Sequence, residues 1–148
     1  MPGKRELAEH VWENLFGFVM HTRPQRDQIL SRLGLTPNEA KALYSLNGVE
    51  GRTMTQLAAA WQCDPSTATW TVDRVERLGL VERRPHPVDR RVRLVFLTVK
   101  GETVRAELMR GMNQAPPALL GLTVSQLEAL CGLLEELPVG LDEFPQPN

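Results

Sequence analysis

The chain lacks most of the features that would assign it to a specialised class of protein. It has only two cysteines, Cys63 and Cys131, and their wide separation matches neither a metal site nor a disulfide framework. No apolar run approaches the roughly 18 residues that a membrane-spanning helix needs, so no membrane association is expected. The N-terminal stretch MPGKRELAEHVWENLF has charges throughout and no apolar core, unlike a signal peptide. We therefore expect a cytoplasmic protein.

Catalytic patterns are also missing. The sequence has no glycine-rich phosphate loop, no HExxH motif and no GxSxG motif. Its three histidines, His10, His21 and His86, are scattered, and nothing pairs them into a metal or catalytic set. The 148 residues, of which 42% are hydrophobic and 24% charged, are ordinary for one globular domain. We expect neither an enzyme nor a bound metal or cofactor.

The chain also has almost no net charge, which is −1 at pH 7. Any argument for a nucleic-acid partner must therefore depend on where the charge is placed. Positive charge is concentrated in one segment, residues 79–93, which holds five arginines and only two acids, Glu82 and Asp89. The five are Arg83, Arg84, Arg90, Arg91 and Arg93. The apolar flanks of this segment predict a β-hairpin, and its charged middle predicts an exposed tip.

Start and stop signals divide the rest of the chain into helices. Apolar residues recur every four positions from Leu7 to Val19 and predict a terminal helix with a wide apolar face, which Pro24 should break or kink. A capping box at Thr36 opens a second helix, and Thr55 is the expected cap of a third. Capping signals at Thr98 and Thr123 open two more, the last with an apolar stripe that includes Cys131.

The helix before the hairpin has the strongest signals. Asp64 is its predicted N-cap, Pro65 its first residue and Gly79 its stop. At 100° per residue, one arc of this helix is suited to the core: Ala68, Thr71, Val72 and Val75. The opposite arc carries Ser66, Thr69, Trp70, Asp73 and Arg77. Asp73 could accept from a cytosine amine, although pairing with Arg77 one turn later is favoured.

This order of elements predicts a winged helix-turn-helix. A helix is followed by a short helix and then by the capped helix, which this arrangement presents to the major groove. The hairpin would lie beside the capped helix as a wing. Arginines at a wing tip suit the minor groove, where narrow A·T-rich segments concentrate negative potential. The predicted fold is mainly α with a small β-hairpin wing.

The segment DPSTATWTVDRVERLGLVERRPHPVDRRVRLVFLTVKGE resembles the MarR (multiple antibiotic resistance regulator) family of winged-helix regulators. The family pattern runs approximately S-x-V-T-R-L-V-D-R-L-E-x-x-G-L-V-x-R, then D-x-R, then L-T-x-K-G. The resemblance is close over about residues 33–105. It implies a homodimer, joined through the terminal helices, that binds a pseudo-palindromic operator in double-stranded DNA, usually as a repressor. It also implies release by a small aromatic or anionic effector.

The resemblance divides the chain into three regions and supplies the candidate site. Residues 1–34 and 99–148, the latter including an acidic tail, would form the dimer. Residues 35–98 would bind DNA, with the recognition helix at about 65–78 and the wing at about 80–97. The candidate DNA-binding residues are Ser66, Thr67, Thr69, Trp70, Arg74, Arg77, Asp89, Arg90 and Arg91. In the family pattern, the wing arginine matching Arg91 enters the minor groove, and the aspartate matching Asp89 holds a neighbouring guanidinium.

Three positions depart from the family pattern. Trp70 stands where arginine is common, so the usual bidentate contact to guanine is absent. Trp70 could instead contact a sugar or a thymine methyl group, or pack within the protein. Thr71 replaces a common core leucine. Gln62 replaces a turn glycine, at about 1 kcal/mol if the backbone there is left-handed.

Two other readings of the same fold remain open. Cys63 stands near a helix N-terminus, where a thiol can act as a redox sensor, although core packing is favoured for both cysteines. A winged helix can also be a protein-interaction module that does not bind DNA. An intact Arg90 and Arg91 favour nucleic acid. Arg83 and Arg84 are evenly balanced between phosphate contact and plain surface.

Overall fold

The computed structural model describes residues 1–137, and the acidic tail predicted for residues 138–148 lies outside them. The helices are α1 (Lys4–His21), α2 (Arg23–Leu33), α3 (Pro37–Ser45), α4 (Met54–Trp61), α5 (Pro65–Arg77), α6 (Val99–Met112), α7 (Pro117–Leu120) and α8 (Val124–Glu135). The strands are β1 (Arg52–Thr53), β2 (Val81–Pro85) and β3 (Arg93–Leu97). Among these residues, no helix combines the length and the apolar character needed to cross a membrane.

Most of the predicted helix starts are confirmed. The Thr36 hydroxyl accepts from the Glu39 backbone N–H, and the Glu39 carboxylate accepts from the Thr36 N–H at 2.8 Å. The prediction that Thr55 caps α4 is wrong, because Thr53 is the cap and lies in a reciprocal box with Gln56. A capping box needs Glu or Gln three residues after the cap, and alanine occupies that place after Thr55.

The wing belongs to a three-stranded antiparallel sheet with the order β1-β3-β2. The hairpin was predicted, and its register pairs Val81 with Leu97 and Pro85 with Arg93. Strand β1 was not predicted, since two residues are too few to show the alternation that marks a strand. It joins the helix-turn-helix to the wing because it lies immediately before α4 and pairs with β3.

The core occupies the space between α3, α4, α5, α6 and the sheet. Its largest fully buried apolar side chains come from each of these elements, and one of them, Leu46, directly follows α3. They are Leu43, Leu46, Leu57, Val72, Val75, Val95 and Leu108. This confirms a mainly helical winged-helix fold, and the core fixes α5 against the sheet that carries the wing.

The terminal helices lie outside this core. The predicted break before Pro24 is confirmed, because α1 ends at His21 and α2 begins at Arg23. Neither α1 nor α8 has a buried residue. Cys131 on α8 is therefore exposed, and its predicted place in the core is wrong for the single chain. Cys63 is half-buried against the core, in the turn between α4 and α5.

Candidate nucleic-acid interface

The N-terminus of α5 is organised around the carboxylate of Asp64. This carboxylate accepts from the Ser66 hydroxyl, from the Thr67 backbone N–H at 2.9 Å and from the Thr67 hydroxyl at 2.8 Å. These hydrogen bonds, led by that of Ser66, hold the pKa of Asp64 well below its usual value of 3.8. The hydroxyl protons of Ser66 and Thr67 are thus used inside the protein, and a phosphate would have to compete with Asp64 for them.

The two faces of α5 separate as the helical arc predicted. The arc predicted for the core is buried: Ala68, Thr71, Val72 and Val75. The Thr71 hydroxyl is satisfied there, because it donates to the Thr67 carbonyl oxygen at 3.0 Å. On the opposite side, Thr69 and Arg77 are exposed, and Trp70 leaves 52% of its surface in solvent. The Thr69 hydroxyl donates to the Pro65 carbonyl oxygen at 2.9 Å, which leaves its methyl group free.

Arg74 is bound to the interior of the domain. Its Nε donates to Oε1 of Glu39 at 2.5 Å, while the other carboxylate oxygen of Glu39 caps α3. Glu39 is fully buried. Burial raises the pKa of Glu39, but the Thr36 N–H bond and the bond and charge of Arg74 outweigh this effect, so the pKa lies below 4.5.

A buried carboxylate left without its cation costs about 3 kcal/mol or more. Arg74 is therefore not a free ligand for DNA, although the resemblance made it a candidate. Its guanidinium carbon instead lies 5.4 Å from the centroid of the Trp70 ring, within the range of a cation–π contact.

Arg83 ties the wing to α5. Its Nη2 donates to Oδ1 of Asp73 at 2.5 Å and its Nη1 donates to Glu76. The predicted pair between the side chains of Asp73 and Arg77 is wrong, since Arg77 donates only to the Asp73 carbonyl oxygen, at 3.3 Å. Strand β2 folds back over α5 after the turn at Gly79, whose φ is 74°, and brings a nearer partner. Arg83 is thus neither a free phosphate ligand nor a plain surface residue.

The second arginine of β2 is also engaged inside the protein. Arg84 donates to the Glu82 carboxylate and lies over the ring of Phe96, with 4.6 Å from the guanidinium carbon to the ring centroid. The Glu82 contact lies within β2, whereas the Phe96 contact crosses to β3 and helps hold the two strands together.

The other three arginines of the hairpin lie at or near the tip. Arg90, Arg91 and Arg93 are exposed, and none forms an ion pair within residues 1–137. Asp89 accepts from the Arg91 backbone N–H at 3.0 Å and so shapes the turn. The expectation that Asp89 holds a neighbouring guanidinium is therefore not met in the free protein.

Sequence reasoning missed the role of Glu39 at this site. The capping box explained one of its carboxylate oxygens, but its partner Arg74 is 35 positions away. The only signal was that a capping glutamate stood on an otherwise apolar face of α3, where burial would demand a cation.

The candidate interface therefore consists of an exposed helical face, a cationic tip and the Arg83 ion pairs that connect the wing to α5. Residues 33–92 match the model of the MarR family. The matched segment spans the helix-turn-helix and most of the wing, so this part of the chain is similar to the MarR-family regulators. MarR-family regulators are DNA-binding transcriptional regulators and are not enzymes.

Solved structures extend the likeness over most of the chain. The apo form of MarR from E. coli is 26% identical, with 86% of this chain and 96% of that chain covered and a TM-score of 0.68. YusO from Bacillus subtilis is 21% identical, with 91% and 96% covered and a TM-score of 0.73. An S. aureus MepR mutant bound to an oligodeoxyribonucleotide is 22% identical, with 84% and 94% covered and a TM-score of 0.66.

Proposed function

We propose that this MarR-family protein binds a pseudo-palindromic site in double-stranded DNA as a homodimer and represses transcription until a small effector releases it. The observation that carries the DNA part is the group of three exposed arginines, Arg90, Arg91 and Arg93, beside the exposed face of α5. Two of the five hairpin arginines are neutralised within the fold, so the positive charge that remains is concentrated at the tip. That placement suits a narrow minor groove flanking a helix in the major groove.

Local charge matters here because the whole chain has a net charge of −1. A uniformly distributed charge of this size would not attract DNA. The two acids of the hairpin do not cancel this charge, since Glu82 pairs with Arg84 and Asp89 offsets only one of the three exposed arginines. We propose Arg90 and Arg91 as groove and phosphate contacts, and Thr69, Trp70 and Arg77 as contacts of the α5 face. Ser66 would contact the DNA backbone through its amide near the helix N-terminus, where backbone N–H groups favour phosphate. Thr67, whose N–H and hydroxyl both donate to Asp64, would first have to release that carboxylate.

The dimer is proposed from the terminal helices. Large apolar side chains of α1 remain about half exposed in the single chain: Leu7, Val11, Trp12, Phe16, Val19 and Met20. On α8, Leu133 and Leu134 are exposed as well. Burying such surface is favourable by about 25 cal/mol per Å². A second copy suits it, because twofold symmetry places two recognition helices on the two half-sites of a palindrome.

The effector site is proposed to need both subunits. A recess between α2 and α6, lined in part by Arg26, Ile29 and Met112, holds only about 60 Å³. A second, beside Cys63 and Lys41, holds about 50 Å³. Sites for drug-sized ligands are typically roughly 300–1,000 Å³. Neither recess reaches that size, so we propose that the partner completes the pocket for a small aromatic or anionic effector, which would also let the effector alter the spacing of the two recognition helices.

The test is a selection of bound sequences from random duplex DNA, followed by affinity measurements across salt concentrations. We expect a palindrome with half-sites about one helical turn apart and an affinity that falls steeply with salt. Arg91→Ala should weaken binding and reduce the salt slope by about one ion. Arg84→Ala, in the same hairpin but paired with Glu82, should reduce the slope less. Affinity independent of salt, or equal slopes for the two variants, contradicts the proposal.

The dimer has its own test. Val11→Glu places a charge in the apolar face of α1 and should yield monomers in sedimentation equilibrium, with loss of specific binding to the palindrome. Glu13→Gln, on the polar side of the same helix, is the control and should remain dimeric. A monomeric wild-type protein, or a dimeric Val11→Glu variant, contradicts the assignment of this face.

A further inference from the structure

Trp70 is the one large apolar side chain on the exposed arc of α5 toward its N-terminal half. It stands with Thr69 on the side away from the buried residues, and 52% of its surface is in solvent. Exposing an indole is unfavourable unless a partner covers it. The proposed position of α5 in the major groove supplies such a partner, so the inference below depends on the proposed function.

The ring does not stand alone on the helix. Arg74, one turn later, places its guanidinium 5.4 Å from the ring centroid. Such a contact restrains the indole on its inner side, because a planar guanidinium stacks on aromatic faces. With 52% of its surface in solvent, Trp70 remains accessible to a ligand despite this contact.

The guanidinium beneath the ring is itself held in place. Its Nε donates at 2.5 Å to Glu39, which is fully buried and also caps α3. A surface tryptophan would normally sample several rotamers. Here three residues in series, Glu39, Arg74 and Trp70, connect the interior of the domain to a single exposed aromatic surface.

The chemistry of the indole limits what it can recognise in the major groove. It has one N–H donor and no acceptor, and the rest of its surface is apolar. Of the four bases, only thymine presents an apolar group there, the C5-methyl. A rigid apolar ring therefore discriminates most strongly in favour of thymine.

We propose that Trp70 reads the C5-methyl group of a thymine in each half-site, and that Glu39 and Arg74 are the positioning residues that hold its indole in place. Arg74 thus contributes to sequence preference through Trp70 and not through a base contact of its own. Loss of the positioning pair should weaken the discrimination while leaving attraction to the phosphates intact.

The test uses the full-length protein and the palindrome recovered by selection. Each thymine is replaced in turn by deoxyuridine, which removes only the methyl group. One thymine per half-site should lose roughly fourfold in affinity on replacement, the effect of one buried methyl group. Trp70→Ala should remove this difference, and Trp70→Phe, which keeps an aromatic ring, should retain part of it.

The positioning role is tested by Arg74→Lys, which keeps a cation for Glu39 but has no planar guanidinium for the ring. The ratio of affinities for thymine and deoxyuridine sites should fall toward one, while binding to unrelated DNA stays the same. Arg83→Lys is the matched control, because it removes another guanidinium that is paired with acids of the same helix, and it should leave the ratio unchanged. Glu39→Gln gives a second perturbation of the pair, with thermal unfolding measured to confirm that each variant is folded.

The outcomes separate the two proposals. Absence of any salt-dependent, sequence-specific binding overturns the proposed function itself. Specific binding in which no thymine is sensitive to deoxyuridine overturns the reading by Trp70 alone. A full thymine-to-deoxyuridine ratio in folded Arg74→Lys overturns the positioning role.

Discussion

Replacing Gln62 by glycine should make the protein more stable. Gln62 is the only non-glycine residue with a positive φ within residues 1–137, at φ 51° and ψ 45°. It ends α4, and its backbone N–H is bonded to the Ala59 carbonyl oxygen at 3.1 Å, a bond that glycine would keep. The side chain is exposed and forms none of the hydrogen bonds found in the described part of the chain. The substitution therefore changes mainly the backbone energy.

The magnitude follows from two opposing terms. A side chain in the left-handed region costs about 1–2 kcal/mol, which glycine avoids. Glycine also gains freedom in the unfolded chain, which lowers stability by about 0.5–1 kcal/mol. The midpoints of these two ranges give a net gain of about 0.75 kcal/mol, or a rise in melting temperature of about 2–3 °C for a chain of this length.

Urea unfolding at one fixed protein concentration measures the difference, because a dimer's apparent stability depends on concentration. Gln62→Ala is the control: it removes the same side chain but keeps a Cβ at positive φ, so it should not be stabilised. If Gln62→Gly is no more stable than Gln62→Ala, the strain assigned to this turn is not present.

Three further changes test other parts of the structure by the same unfolding measurement. Gly101→Ala should destabilise the protein by about 3 kcal/mol or more, since a Cβ there would lie 1.9 Å from a backbone carbonyl oxygen. Gly17→Ala is its control: the added Cβ meets no atom within 4 Å, and the change should stabilise α1 by about 0.5–1 kcal/mol. Arg83→Ala should lower the free energy of unfolding by about 1 kcal/mol, because it breaks two half-exposed ion pairs. Arg90→Ala is its control: it should change stability by less than about 0.5 kcal/mol and should reduce DNA binding instead. The pKa of Glu39 lies below 4.5 in the folded state. Its contribution to the free energy of unfolding is therefore complete above pH 4.5 and is lost as the pH falls through the lower folded value, so Glu39→Gln should lose less stability in acid than the wild type. An unchanged dependence of stability on pH contradicts this role.

The local features of the fold could be predicted because their causes lie within a few residues. Four helices begin at a predicted cap whose side chain accepts a hydrogen bond from the backbone N–H three residues later. These caps are Thr36, Asp64, Thr98 and Thr123. The same locality explains the exposed position of Trp70, because a helical arc depends only on spacing. Two threonines, Thr53 and Thr55, could each have capped α4. Thr53 is the cap because Gln56 stands three residues after it and completes the capping box.

The pairing of charged residues could not be predicted, because it depends on how the elements pack. Arg83 could be a phosphate ligand or a surface residue until β2 is placed over α5, where Asp73 and Glu76 bind it. Likewise, Arg74 matched a DNA contact by position until Glu39 was found beneath it. Cys131 fits an apolar stripe, but nothing in the sequence says whether that stripe packs in its own chain or against another.

These pairings also compensate for a property of α5 itself. Its buried side chains, Ala68, Thr71, Val72 and Val75, are small, and small side chains interlock less with their neighbours than leucine does. Apolar packing alone would therefore leave the rotation and tilt of α5 weakly specified. The remaining specification comes from polar contacts at three levels along the helix: the cap at its start, Arg74 in its middle and the Arg83 pairs toward its end. Because such pairs act over short distances and only in one geometry, they fix orientation more strongly than they add stability, which is what the proposed fit of α5 into a groove requires.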